Sequence, residues 1–591
     1  MKIIQHLTAI FFITLMVAFI VLPLLLPGYI IALDLPMGPN YPAPMFSSAD
    51  FLSGSFFSIL GNFIPSFILH KFLLILTFFT AAFGMYFLIP SNNLTVRLLS
   101  GLIYIINPFV YQRLVAGQWL LMFGYALLPW SIVLLQFFLR SKKFMTAVFL
   151  ALFWTLLATV SLHFFFIAAI FFLIYLLAFL ILEGEQIGKP KDFLLKILGF
   201  LIIFLLLNAN WLTGFIIGND LSASLSLVTR EELMAFRSVA DPKLGVLFNL
   251  LSGYGFWPEL YKYYLLPKQL FPLWPAVTLG LLSLSILGFI KELLKRKNTT
   301  LLVALALFFL LGLDLAIGIA SPHLSQSILW FYEKIPILRG FREPQKLVSA
   351  IFLFYAFFAP LGLSSIFPKI SGWKQFTLSA VLILLLIFNS LPLFWGFYRQ
   401  LKPVFYPEGW QKVNKVISDD KGQFLTLFFP WHHYLKLHFN NNIVSANPAV
   451  YFFKKPVISA QNLENISLSN FERNPETLHV EGLLAMENTG KNLLGENVDY
   501  RVDWSRDLSP IDVKYIILAK DADWHKYQFL DKDADFVKEY EDDSLILYRN
   551  LSFGQQWEYP EPEPTPTEAT ESADLENLQI STSPAGISEE E

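Results

Sequence analysis

The chain contains no cysteine, which excludes disulfides, thiolate metal sites and thiol nucleophiles, and says little about redox compartment. Charge is scarce too: 15% of residues are Asp, Glu, Lys or Arg, and the net charge of −3 offers no footing for a nucleic-acid partner. No HExxH motif and no Walker-type glycine loop occurs, so neither of these motifs supplies a metal or nucleotide site. The sequence names no cofactor, and no ligand pattern supports a divalent metal. No internal repeat is visible, which weakens an inverted-repeat transporter reading.

What fills the space is apolar. Of 591 residues 55% are hydrophobic and 60 are Phe. Eleven runs, each near the ~20 residues that a helix needs to cross a bilayer, are expected at 4–27, 71–90, 97–112, 119–139, 144–161, 163–182, 195–217, 271–291, 300–319, 347–366 and 375–396. The first run, from Met1-Lys2 to Pro27, is longer than a signal-peptide core and no A-x-A site follows it, so it is expected to be retained as a span. The fold class expected is an α-helical polytopic membrane protein with a small C-terminal α/β domain.

Orientation follows from basic residues in short loops. Arg140 with Lys142-Lys143, the group Lys189/Lys191/Lys196, Lys291 with Lys295-Arg296-Lys297, and Lys369/Lys374 fall on one side if the spans alternate. That side is expected to be the cytoplasm of a cell whose plasma membrane holds the chain. The N-terminus is then inside and everything after the eleventh span outside. The outer loops 28–70, 218–270 and 320–346 are long and aromatic, whereas the inner ones are short and plain; long connections in compact proteins are usually functional or disordered.

Three segments follow from composition: a transmembrane domain over 1–396, an extracytoplasmic α/β domain over 397–550, and an acidic tail over 551–591. In the second, Gln411–Ser418 reads as a helix, while Phe424–Phe429 and Val513–Leu518 read as strands. Phe536–Tyr540 and Leu545–Tyr548 read as a hairpin across Glu541-Asp542-Asp543. The tail is rich in Glu, Pro, Thr and Ser, and no Lys or Arg follows Arg549, so it is expected to be disordered.

The candidate chemistry clusters outside. Asp34 lies about seven positions beyond the first span, in a Pro- and Gly-punctuated segment, which puts a carboxylate at the membrane boundary on irregular backbone. A carboxylate there can take the proton of an acceptor hydroxyl, or it can simply favour a turn before Pro36. Arg113, Arg342 and Lys346 stand near the same boundary, where they can hold a lipid-linked phosphate or snorkel to water. Gln118 follows Gly117 where the fourth span begins, and His163 sits at the tight turn between the fifth and sixth. Asp314 lies mid-span, where an ionisable group is costly; it is either a proton-relay group or a partner of Asn208 or Asn210. Trp431-His432-His433-Tyr434 is a weak metal candidate, because adjacent side chains diverge in helix and strand.

The segments Pro27-Gly28-Tyr29…Asp34…Gly38-Pro39, Asn107-Pro108-Phe109-Val110-Tyr111-Gln112-Arg113…Gly117-Gln118-Trp119 and Phe341-Arg342-Glu343-Pro344-Gln345-Lys346 resemble the GT-C superfamily of membrane glycosyltransferases, in its arabinofuranosyltransferase-like branch. The resemblance implies a polyprenyl-phosphate-linked sugar donor, a glycan or protein acceptor, transfer on the outer face with inversion, and Asp34 as the catalytic carboxylate of the first loop. Asp34 lacks the adjacent acidic partner found in several GT-C families, which leaves metal dependence unsupported. Two other readings stand beside it: a transporter or flippase of lipid-linked sugars, and a non-catalytic membrane scaffold for envelope assembly.

Overall fold

Helices dominate the computed structural model, and each expected span has its helix. The structure describes all residues except 1, 42–43, 45, 47, 188, 218–232, 235, 322, 336–340, 368–371, 461–474, 494, 498–500 and 556–591. Lys369 of the last basic pair and the acidic tail from 556 on lie outside the described residues.

Eight helices among the described residues are long and apolar enough to cross a membrane: Ile3–Leu25, Ser66–Leu88, Trp119–Arg140, Leu162–Leu182, Trp274–Leu294, Thr299–Ala320, Pro344–Ser364 and Gly372–Asn389. The remaining three expected runs appear as a bent pair (Leu94–Ile105 with Pro108–Val115), a 16-residue helix (Met145–Val160), and Pro190–Leu207 followed by Ala209–Ile217. Phe137, Leu177, Ile181 and Leu206 lie exposed on the flanks of these helices, the surface that lipid covers in a multi-pass membrane protein.

The chain divides into two compact units, the first built mainly from Met1–Asn414 with Tyr434–Lys454, the second from Lys415–His433 and the described residues from Lys455 on. The first is the helical bundle. Its most buried span is Pro344–Ser364, against which Trp274–Leu294 packs tightly. A Cβ on Gly288 would lie 2.1 Å from Phe358 O and one on Gly362 2.0 Å from Leu284 O, so only glycine lets these two backbones approach so closely.

The expected span 97–112 is broken, for a local reason. Pro108 has no N–H to continue a helix and fits the first position of a new one. Asn107 closes both ends: its Nδ2 donates to Ile103 O and Tyr104 O, and its Oδ1 accepts the N–H of Val110. The second helix leaves at 42° to the first.

Two short sheets complete this unit. Strands β1 (Ile31–Ala32) and β2 (Leu35–Pro36) form an antiparallel hairpin with Leu33-Asp34 as its two-residue tip. The second unit contributes β3 (Leu425–Phe429), and the chain returns to the first unit for β4 (Tyr434–Lys436) and β5 (Val444–Ala446), which pair antiparallel. Ala446 N–H donates to Leu33 O at 2.8 Å and so holds the hairpin tip.

The second unit continues with β6 (Val457–Ile458), β7 (Val513–Ala519), β8 (Phe536–Glu541) and β9 (Leu545–Asn550), ordered β6-β3-β7-β9-β8. β3 runs parallel to β6 and β7, while β7–β9 and β9–β8 are antiparallel. Leu427, Phe429, Ile516, Leu518 and Ile546 pack in one core with Val480 and Leu483 of the helix Pro475–Thr489. The expected strands and hairpin all form, with the helix expected at Gln411–Ser418 running from Glu408 to Asp419.

Candidate functional site

The hairpin tip is fastened to the turn that follows the helix Pro108–Val115. Asp34 N–H donates to Ala116 O at 2.7 Å. That turn is a Schellman closure: Gln118 N–H bonds to Arg113 O at 2.9 Å and Gly117 N–H to Leu114 O at 3.0 Å. Gly117 takes φ +91°, and a Cβ there would lie 2.6 Å from Leu35 Cβ and 2.8 Å from Leu35 N. Glycine therefore serves twice, in the left-handed turn and in the close approach of the hairpin. The closure brings the side chains of Arg113 and Gln118 together although five positions separate them.

From Asp34 a chain of side-chain bonds runs inward. Gln118 Nε2 donates to Asp34 Oδ2 at 2.9 Å, and Tyr434 of β4 donates its hydroxyl to Oδ1 at 3.1 Å. Arg113 Nη1 donates to Gln118 Oε1 and to Glu343 Oε2, both at 2.8 Å. Trp257 Nε1 donates to the other Glu343 oxygen at 3.0 Å. Lys346, one turn into the most buried span, lies 3.3 Å from Glu343 Oε2, and its Nζ is 2.8 Å from His163 Nε2. His163 stands in the first turn of Leu162–Leu182, whose start Ser161 caps by accepting the N–H of Phe164. Loops and helix ends from six parts of the sequence thus meet at one end of the bundle.

Two negative and two positive charges make the cluster formally neutral. Burial pushes the Asp34 carboxyl up to about 6, helped by the charge of Glu343; the bonds from Gln118 and Tyr434 and the charge of Arg113 pull the other way. Burial acts to raise the Glu343 carboxyl as well, but Lys346 and Arg113 beside it hold it well below the usual carboxylate range. Burial and the neighbouring Asp34 push the Tyr434 phenol up, which keeps it a donor at neutral pH.

Five of the expected site residues therefore converge: Asp34, Arg113, Gln118, His163 and Lys346. Arg113 is 1% exposed, stacked 3.6 Å from the Phe256 ring centre and bonded to Glu343, while its buried Nε and Nη2 make no hydrogen bond among the described residues. Arg342 is half-buried, with its guanidinium 4.7 Å from the Phe236 ring centre. It lines an otherwise apolar cavity of about 250 Å3 with Ile170, Leu315, Phe331 and Phe341. Phe341 also meets the His163 ring edge-on at 5.1 Å, so the cavity adjoins the cluster.

The polar residues expected within the membrane go elsewhere. Asp314 accepts the hydroxyl of Ser321 at 3.1 Å, so its partner is neither Asn208 nor Asn210. It lies in the last turns of Thr299–Ile317 rather than mid-span, near enough to the helix end for the chain beyond to fold back on it. Asn208 donates to Thr155 Oγ1 at 2.8 Å and accepts from Trp211, and Asn210 donates to Phe46 O at 2.9 Å. His432 bonds Asp523 Oδ1 at 2.7 Å, beyond the ends of β3 and β7 in the second unit.

No site role was expected for Glu343, Tyr434 or Trp257, although Glu343 stands in the segment Phe341–Lys346 and Tyr434 in the run Trp431–Tyr434. An acid between Arg342 and Pro344 at the start of a span is a readable signal for Glu343, since a carboxylate suits a helix N-terminus. No local signal links Tyr434 to Asp34, its partner 400 positions away. Among the described residues no group of three or more His, Asp and Glu side chains could hold a metal ion. The two carboxylates at hand do not fit one either, because Arg113, Lys346 and Trp257 engage both oxygens of Glu343.

This architecture, a polytopic bundle and a small C-terminal sheet domain, shares its fold with a solved membrane-protein structure. The chain is similar to the cryo-EM structure of the arabinofuranosyltransferase AftD from Mycobacteria at a TM-score of 0.58 and 13% identity, over 91% of this chain and 40% of that one. A variant of the same protein matches at a TM-score of 0.55, 13% identity, and 91% and 41% of the two chains. ArnT from Cupriavidus metallidurans overlaps 94% of this chain and 100% of its own at 10% identity, with a TM-score of 0.37 too low to carry weight. The chain spans about two-fifths of the length of the AftD structures it matches, and at this identity the likeness is one of fold. No family model and no curated protein matches the sequence.

Proposed function

We propose that the chain is a membrane glycosyltransferase that moves a sugar from a polyprenyl-phosphate-linked donor to a glycan or protein acceptor at the outer face of the plasma membrane. The N-terminus is inside and the C-terminal domain, 397–550, outside, where it positions the acceptor. Asp34 is the general base. It takes the proton of the acceptor hydroxyl as that oxygen bonds to the anomeric carbon; the bond from that carbon to the phosphate oxygen breaks, the lipid phosphate departs, and the configuration inverts. Lys346 and Arg342 are the cations nearest the departing phosphate, and the apolar cavity beside Arg342 suits a segment of the lipid chain. Arg113, Gln118 and His163 serve from within the cluster.

One observation carries this reading. Asp34 is half-buried on the tip of the first-loop hairpin, with both carboxylate oxygens held by donors and a carboxyl value of about 6, which makes it anionic yet usefully basic at neutral pH. The test is mass spectrometry of surface glycans and lipid-linked sugars from cells with the gene, without it, and with Asp34→Asn. The expected result is loss of one glycan and accumulation of one lipid-linked sugar in both altered strains, with Asp34→Asn still inserted in the membrane. Wild-type glycans in the Asp34→Asn strain would remove Asp34 from the mechanism.

A further inference from the structure

Arg113 is a buried guanidinium at the centre of the cluster. Its Nη1 donates to two oxygens, one on Glu343 and one on Gln118. A guanidinium has donors and no acceptor, so the Gln118 atom that faces it must be the carbonyl oxygen. The amide NH2 is then forced toward Asp34, whichever way the amide would otherwise settle. We infer that Arg113 is a positioning residue: clamped by Glu343, it locks the Gln118 amide so that Asp34 always meets a donor there and never an acceptor.

The consequence is chemical. A locked NH2 stabilises the carboxylate of Asp34 and offers nothing to the protonated acid. A free amide could turn over when Asp34 gains a proton and accept that proton's hydrogen bond through Oε1. Locking thus favours the basic form of the residue that the proposed reaction needs as a base, within a site whose burial works against it. Tyr434 secures the other oxygen in the same sense, by donating. The Schellman closure at Gly117 supports the arrangement from the backbone, since it sets Arg113 beside Gln118. The inference rests on Asp34 being the functional carboxylate, yet it concerns only that residue's protonation.

The groups that act on Asp34 by charge are Glu343 and Arg113, with Tyr434 from β4 and Tyr264 from the segment before Pro267–Leu270 also close. A charge effect and an amide effect therefore need separating, and a double-mutant cycle does this. The probe is the proton itself. Titration of Asp34 is followed by infrared difference spectroscopy on the full chain in lipid nanodiscs, with Asp34→Asn identifying the band. The perturbation is the neutral pair Arg113→Met with Glu343→Gln, which removes one charge of each sign. It is introduced both into the native background and into Gln118→Leu, which has no amide to lock.

Charge acts equally in the two backgrounds. The expected result is that the midpoint changes differently between them, with the native background displaced upward relative to Gln118→Leu by ~0.5–1 pH unit, the size of one hydrogen bond to the acid form. Equal changes in both backgrounds would overturn the inference and leave the proposed reaction untouched. A glycan profile unaffected by Asp34→Asn would overturn the reaction and leave this titration result standing. If the neutral pair does not assemble, Arg113→Lys replaces it in the same cycle. That side chain keeps the cation but replaces the planar guanidinium fork by a rotatable ammonium, so it does not fix the amide as the guanidinium does, and the same two outcomes decide.

Discussion

Two aspartates in the membrane unit show how differently an apolar bundle treats a carboxylate. Asp34 draws its partners from Gln118, 84 positions away, and Tyr434, 400 positions away, and through Gln118 it joins Arg113, Glu343, Lys346 and His163. Asp314 has its bond to Ser321, seven positions along the chain. A local partner satisfies a polar group wherever the chain happens to turn. Partners gathered from so many segments must be held in register by the whole fold, which is what a reaction centre requires and what simple satisfaction does not. The difference teaches that reach in sequence, rather than depth in the membrane, separates the two residues.

The comparison breaks most sharply at Asp34 itself. If the general-base role holds, Asp34→Asn lowers transfer by ~10²–10⁴-fold, and the same change at Asp314 leaves transfer near wild type, measured side by side in isolated membranes. Next comes Glu343→Ala. It strands Arg113 and Lys346 without their common anion, and removal of one partner from a buried pair costs ~3–5 kcal/mol. A large fall in thermal midpoint is therefore expected in detergent or nanodiscs. Replacing Arg113 and Glu343 together with apolar residues should be milder than Glu343→Ala alone, because only Lys346, and no longer Arg113, is left without its anion.

A third test uses pH. The Asp34 carboxyl stands at about 6, raised above the ordinary range by burial first and by Glu343 second. In the proposed reaction the functional form is the anion, so transfer should be level above that value and fall about tenfold per unit below it, as protons occupy the base. A profile flat down to the ordinary carboxylate range would show that Asp34 is not the titrating group. Gln118→Leu removes a donor to the anion and should move the fall to higher pH.

Much of this was legible in sequence. Apolar runs mark the helices because a span must be apolar through its whole length, and the strands of the second unit are read from β-branched and aromatic runs between turns. Asp34, Arg113, Gln118, His163 and Lys346 each stand at the end of a span, so placing the spans nearly places them. Contacts were harder. The bond from Arg113 to Glu343 was not legible, because a basic residue near a boundary looks the same whether it faces a phosphate or an internal carboxylate. Asn107-Pro108 sits inside an otherwise continuous run, and only its side-chain bonds explain the break. Tyr434 was out of reach, since no local pattern tells that β4 and β5 rejoin the membrane unit to hold the Asp34 hairpin.

The smallest effect expected is also the cleanest control on the comparison. Asp314→Asn replaces a carboxylate by an amide whose oxygen still accepts the Ser321 hydroxyl, so the local bond survives and only the charge goes. Hydrogen bonds between side chains in membrane bundles average ~0.6 kcal/mol, and this one is retained. Stability should therefore change by less than ~1 kcal/mol, and removing an ionisable group from a helix flank in lipid should favour insertion if it changes it at all. Unfolding in nanodiscs measures the first, and the yield of inserted protein the second. A loss of transfer with insertion intact would instead tie Asp314 to the reaction, and the distinction between the two aspartates by the reach of their partners would fail.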